Sequence, residues 1–409
     1  MARRLVFGPE RLRGRAVLRD PDEGGRSATP LELFLDLTFV VAVSRASAAL
    51  HHELLAGHTA QGIVGFGAVF FAVWWAWMNF TWFNSAHDAD DVPQRAITLV
   101  QMAGVLVLAA GVTRAVEDHD FTVAVVGYVI MRLGLVVAWL RVARDVPESR
   151  RRALRYAGGI TAVQVLWIAR LALTGDVAAT TFVALGLAEL ALPMWAERAV
   201  ARPMFHPRHI EERYGLFTII VLGESVLSAY AGFQTALDRA GLSPALLAVG
   251  LGGLVLAFAA WWIYFDHPGH LTPTPDIAFR WGYAHVVVFA SLAAAGAGVF
   301  VAAEVAALGG DERMAALAVA IPAAGYALGL ALVMIVTGTP ARDGRVFPKF
   351  VGATAMLAIG LLAPVGAAVA GCAAVMTAMA VAMVLVTPAP AEQGAPAAPG
   401  SDSYAAQDA

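Results

Sequence analysis

Long apolar stretches alternate with short polar ones along most of this chain. Twelve of them stand out, at 31–50, 61–83, 96–116, 121–142, 153–174, 178–196, 213–233, 244–264, 281–303, 314–337, 350–365 and 367–387. Several approach 20 apolar residues. At about 1.5 Å rise per residue, a helix of that length crosses a hydrocarbon core of about 30 Å. The pattern predicts an all-α, polytopic transmembrane helix bundle of about 12 spans. The last two stretches can also be read as one hairpin broken at Pro364-Val365-Gly366. Thr29-Pro30 opens the first helix, with proline where the helix has no use for an amide donor.

Composition agrees. The chain is 59% hydrophobic and 14% charged, with mean hydropathy +0.68. A soluble domain carries about 25% charged residues, so a large aqueous surface is not available here. Cys372 is the sole cysteine, which excludes an intrachain disulfide and a thiolate metal cluster. The first 28 residues are polar and arginine-rich, without the apolar segment of a signal peptide. Residues 1–30 read as an arginine-rich cytoplasmic arm, and 388–409, rich in Pro, Ala, Gly and Ser, as a disordered cytoplasmic tail.

Loop charge gives the expected orientation. Arg141 to Arg155, Arg198 to Arg213 and Arg342 to Lys349 are basic segments on one side. The opposite loops carry few basic residues, chiefly Arg114, Arg239 and Arg313. The positive-inside rule then places both termini in the cytoplasm of a bacterial cell. The basic runs follow topology, so no nucleic-acid surface is inferred.

Two stretches repeat. Glu32-Leu-Phe-Leu-Asp-Leu-Thr38 lies over Glu212-Arg-Tyr-Gly-Leu-Phe-Thr218 at an offset of 180. Trp74-Trp75-Ala-Trp77-Met-Asn79 lies over Trp261-Trp262-Ile-Tyr264-Phe-Asp266 at an offset of 187. A duplication is expected: a first six-helix repeat at 31–196, a cytoplasmic linker at 197–212 and a second repeat at 213–387. Six spans is an even number, so both copies point the same way, related by a pseudo-two-fold along the membrane normal.

Ionisable residues inside apolar spans are the candidate chemistry, because an unpaired charge in hydrocarbon is expensive. Glu224, Arg132 and Glu189 lie about 11 residues into their spans, roughly 16 Å deep. Glu32, Asp36 and Glu212 sit nearer the cytoplasmic end, and His285 one turn into the ninth span. As a polar pathway, Asp36 and Glu224 would carry a solute or ion, with Arg132 and Glu189 as counter-charges. As structure, Arg132 would pair with Glu189 or Glu224 and hold the bundle together. Arg45 and Arg170 read as snorkelling or interface-pairing residues. Gly215 and Gly223 share one helix face and read as a site of close helix approach.

His206-x-x-His209 with Glu211, and His267-x-x-His270, fall on cytoplasmic loops and offer imidazole and carboxylate ligands for a metal such as zinc. The same residues can instead cap helices. Trp74, Trp75, Trp77, Trp82, Trp261 and Trp262 read as an interfacial aromatic belt. No phosphate loop, nucleophile elbow or HExxH motif is present, and no cofactor is strongly implied.

Thr29-Pro-Leu-Glu-Leu-Phe-Leu-Asp-Leu-Thr-Phe-Val-Val-Ala-Val and Glu212-Arg-Tyr-Gly-Leu-Phe-Thr-Ile-Ile-Val-Leu-Gly-Glu224 together resemble the bacterial low temperature requirement protein A family. The Tyr128 to Arg132 segment, Trp261 to Asp266 and Trp281 to His285 look like the same family. The resemblance covers most of residues 29–300. It implies a multi-pass bacterial membrane protein, and the family name, which refers to a growth phenotype, implies no mechanism. Phe34-Leu-Asp36 is also similar to the Phe-Ser-Asp first-helix motif of a potassium-channel family, with Leu35 in place of Ser and Pro30 in place of that family's arginine. The leading expectation is a transporter or channel for a small solute or ion within the lipid bilayer. The alternatives are a membrane-embedded metal-dependent enzyme and a structural or stress-response membrane factor.

Overall fold

A computed structural model describes residues 14–19, 27–87, 90–198, 205–266, 271 and 274–386. The described residues form twelve α-helices. They are α1 (Pro30–Leu55), α2 (Thr59–His87), α3 (Val92–Glu117), α4 (Thr122–Asp145), α5 (Arg150–Arg170) and α6 (Gly175–Glu197). The second half holds α7 (Pro207–Ala240), α8 (Pro244–Phe265), α9 (Pro275–Leu308), α10 (Glu312–Val336), α11 (Phe347–Leu362) and α12 (Val365–Val386). No β-strand occurs among the described residues. Each expected apolar stretch is a helix, and the last two are separate helices broken at Ala363-Pro364.

Local chemistry sets where the helices begin. Thr29 and Glu32 form a reciprocal capping box: the Glu32 amide donates to Thr29 Oγ1 at 3.2 Å, and the Thr29 amide to Glu32 Oε2 at 2.9 Å. Asp91, Ser243 and Asp311 cap α3, α8 and α10 with side-chain oxygens. Proline stands at the first turn of α1, α3, α7, α8, α9 and α11.

Among the described residues, ten helices are long and apolar enough to cross a membrane; α5 and α11 are not. The reasons differ. α5 opens on Arg150-Arg151-Arg152 and carries Gln164, which lowers its hydropathy. α11 has 16 residues, about 24 Å of helix, and needs a thinned bilayer or a buried seat to span.

α1 packs on α2, α3, α7 and α9, which puts it at the centre of the molecule. Small residues let the tightest pairs close. A Cβ on Gly127 (α4) would strike the Leu108 backbone of α3, and one on Gly298 (α9) would strike the Ala318 carbonyl of α10. Gly223 plays no such part: nothing lies within 4 Å of where its Cβ would be. The expectation of close approach there is corrected, because Gly223 faces away from the neighbouring helices. Gly215 does pack, with Phe265 Cε1 3.3 Å from its would-be Cβ.

The aromatic belt is also corrected for α2. Trp74, Trp75 and Trp77 are 1%, 0% and 0% exposed, so they are core residues. Trp261 and Trp262 of α8 are half exposed. Hydropathy alone cannot separate these cases, because α2 is apolar all round and has no face that marks the core.

Candidate functional site

Two clusters of buried charge stand out among the described residues. The first lies between α1 and α7. Glu32 and Asp36 are four residues apart on α1, hence on one face; His209 and Arg213 have the same spacing on α7. The two faces meet. Arg213 Nη1 lies 3.1 Å from Glu32 Oε1, and Arg213 Nη2 lies 2.5 Å from Asp36 Oδ1. His209 Nε2 lies 3.3 Å from Glu32 Oε1. Trp77 of α2 donates its indole N–H to Asp36 Oδ1 at 2.7 Å. Asp36, His209 and Arg213 are fully buried. Among the described residues, Asp36 Oδ2 and Arg213 Nε have no hydrogen-bond partner.

The charge count of this cluster decides its chemistry. Among the described residues, two carboxylates face one guanidinium, so one negative charge is left over. A proton on His209 or on a carboxylate, or a bound cation, must balance it, because a naked charge in this setting costs several kcal/mol.

The second cluster centres on Glu189 of α6, which is 0% exposed. Its carboxylate accepts from Trp75 Nε1 at 2.9 Å, Tyr128 OH at 3.0 Å, Gln164 Nε2 at 3.0 Å and Arg132 Nη2 at 2.5 Å. These donors come from α2, α4 and α5. One carboxylate meets one guanidinium, so the cluster is neutral. The expected choice between Glu189 and Glu224 as partner of Arg132 thus falls to Glu189.

Glu224 lies apart from both clusters. It is 7% exposed and sits against the Ser44 side chain of α1. Between it and Asp36 come the fully buried Phe39, Val43, Phe217 and Val221. Just beyond, Ser47 Oγ donates to the Ala293 carbonyl at 3.2 Å and Ser225 Oγ to the Leu292 carbonyl at 2.7 Å, both on α9.

Glu212 reaches back to α1, accepting from the Ala28 amide at 3.2 Å. His285 of α9 is boxed by aromatic rings, with Trp281 at 4.2 Å and Tyr214 at 4.9 Å between centroids. Its Nδ1 lies 2.8 Å from the Trp281 carbonyl. Arg45 pairs with Thr113 Oγ1 at 3.0 Å. Arg170 Nε donates to the Ala178 carbonyl at 3.0 Å among Phe121, Trp167 and Phe182.

The proposed metal residues have other duties. His206 caps α7, its Nδ1 accepting from the His209 amide at 3.2 Å. His209 joins the first cluster. Glu211 accepts from the Leu271 amide. Among the described residues, these three do not bring ligand atoms together. His267 and His270 lie outside the described residues.

Arg213 was hidden in the sequence by its position. It closes a basic segment and reads as a loop residue counted by the positive-inside rule. The signal that locates it is the matched spacing of Glu32/Asp36 and His209/Arg213. Trp75, Trp77, Tyr128 and Gln164 had no comparable signal, since their partners come from distant helices.

A buried, charge-bearing bundle with ten helices fit to cross a bilayer is a multi-pass integral membrane protein. The sequence profile of the family described as "Bacterial low temperature requirement A protein (LtrA)" matches residues 27–387, and the chain belongs to that family. It is similar to a Rhizobium meliloti (strain 1021) protein named "Uncharacterized protein RA0937", 26% identical over 259 residues. That match takes in 62% of this chain and 61% of the relative, so the chain spans under two thirds of the relative's length. No solved structure matches.

Proposed function

We propose that this protein is a transporter or channel that passes a small cation, the proton included, along the seam between α1 and α7. The observation that carries this reading is the buried Glu32/Asp36/His209/Arg213 cluster, with its surplus carboxylate and the unpartnered Asp36 Oδ2. Such a group can take up and release a positive charge without leaving the hydrocarbon region unbalanced. Phe39, Val43, Phe217 and Val221 form a dry layer that holds the path shut, and Glu224 is the next carboxylate along it. Arg132 and Glu189 are assigned to bracing the bundle, because their cluster is neutral and its carboxylate is saturated with donors.

The reading includes a duplicated chain of 12 spans with both termini cytoplasmic. Three observations support the duplication. α1–α2, α1–α3, α3–α4 and α4–α5 pack as α7–α8, α7–α9, α9–α10 and α10–α11 do. Glu32 approaches His209 while Glu212 takes the Ala28 amide, a near-reciprocal exchange at the offset of 180. Ser44 meets Glu224, its own counterpart at that offset, as residues on a two-fold axis must.

The test is flux in proteoliposomes with an imposed proton or potassium gradient. Asp36→Asn and Glu224→Gln, each checked for folding, should lower flux at least about tenfold, the effect of removing an ionisable group the barrier depends on. Flux unchanged from wild type in both variants removes the proposed path.

A further inference from the structure

The far ends of α1 and α3 carry a further constellation unrelated to the α1–α7 seam. His52 and Glu53 close α1, and Glu117 closes α3; one ligand atom from each lies within 4.8 Å of the others. Glu53 is 3% exposed, yet among the described residues no arginine or lysine pairs with it. His58 Nδ1 stands 3.1 Å from Glu53 Oε2, and His52 Nε2 stands 3.9 Å from Glu117 Oε1.

The backbone builds this arrangement. α1 ends in a Schellman turn, with Gly57 at φ +82°, the His58 amide donating to the Glu53 carbonyl at 2.9 Å and the Gly57 amide to the Leu54 carbonyl at 3.1 Å. That turn folds His58 back over Glu53. Gln61, in the first turn of α2, donates to the carbonyls of Val116 and Glu117 at 2.9 Å each, fixing the end of α3 beside α1. Two helix C-termini thus converge here, and each brings the negative end of its dipole. Two carboxylates, two helix ends and no arginine or lysine partner leave a strongly negative, imidazole-bearing spot.

We propose that His52, Glu53 and Glu117 bind a divalent transition-metal ion of the zinc class, which clamps α1 to α3. One imidazole and two carboxylates suit such an ion. A tetrahedral ion with bonds of ~2.0–2.2 Å sets its ligands roughly 3.3–3.6 Å apart. The three atoms start within 4.8 Å, and His52, mostly exposed, supplies the rotation that closes the difference. His58 is the outer-shell partner: a carboxylate only accepts, so His58 Nδ1 donates and orients Glu53. Water completes the fourth position.

The test uses full-length protein in detergent, freed of any affinity tag and stripped with chelator. Zinc chloride is titrated calorimetrically, with cobalt(II) absorption as a second readout of ligand geometry. Wild type should take up one equivalent at micromolar affinity or better, and its thermal midpoint should rise with zinc. His52→Asn/Glu117→Gln, both at exposed or half-buried positions, should weaken binding at least about a hundredfold, tenfold for each ligand lost, and abolish the thermal shift. Glu53→Gln should do the same where it folds. No stoichiometric uptake by wild type, or equal affinity in the double variant, overturns the proposal. Neither result bears on flux through the α1–α7 seam, so the two readings fail separately.

Discussion

Glu189 accepts hydrogen bonds from Trp75, Tyr128, Gln164 and Arg132, whereas Asp36 keeps one oxygen bare. The two carboxylates therefore answer differently to substitution. Glu189→Leu strands three buried donors and an unpaired guanidinium, and should cost about 3–5 kcal/mol, the range for breaking a buried pair from one side. Unfolding in mixed micelles measures it; a loss under about 1 kcal/mol would remove the bracing role given to this cluster. Asp36→Asn keeps an acceptor for Trp77 and Arg213, and its main effect should fall on flux. At this scale the sequence was half legible. Glu32, Asp36, Glu189, Arg132 and Glu224 stand out because charge is rare in apolar spans. Their partners do not, because a tryptophan or glutamine in an apolar helix looks the same whether it faces lipid, the core or a carboxylate.

The existence of each helix was the most legible feature, whereas bounds were less so: α7 runs Pro207–Ala240 and α9 Pro275–Leu308, against expected spans of 213–233 and 281–303, because prolines and caps start these helices in polar sequence outside the apolar run. Which helices touch was not legible, because most are apolar on every side and give no direction to the core. Glycine is the exception only after the structure shows its neighbours. Gly127→Ala and Gly298→Ala should force α3 from α4 and α9 from α10, each costing about 1–3 kcal/mol as overpacking. Gly223→Ala meets open space within 4 Å and should raise stability slightly through helix propensity. Thermal midpoints of the three variants in one detergent decide it. Equal behaviour of Gly127→Ala and Gly223→Ala would contradict the packing described for α3 and α4.

For the whole molecule, orientation can be read with one reagent. Cys372 is the sole cysteine and is fully buried, so the protein as it stands is nearly blank to a membrane-impermeant maleimide. Single cysteines placed at Arg151 and at Arg239 should label from opposite faces, with Arg151 protected in intact cells and Arg239 reactive. The reverse pattern would invert the proposed topology. The proposed duplication rests in the sequence on the offset of 180, and the contact of Ser44 with Glu224 is what supports a two-fold between the proposed copies.

α6 is attached differently from its neighbours. It is mostly exposed, whereas α2 and α10 are mostly buried, and it packs mainly on α5. Beside the apolar contacts of Phe182, Leu185 and Leu192, much of its attachment is polar: Glu189 to four side chains, Glu197 to Arg152 and Tyr156 at 3.2 and 3.0 Å, and the Leu190 carbonyl to Tyr283 at 2.9 Å. Bonds of that kind hold firmly where no water competes and slacken where it does. The seating of α6 is thus a gauge of local wetness, tight in an intact acyl-chain environment and first to drift when thinning or short-chain amphiphiles admit water along its outer edge.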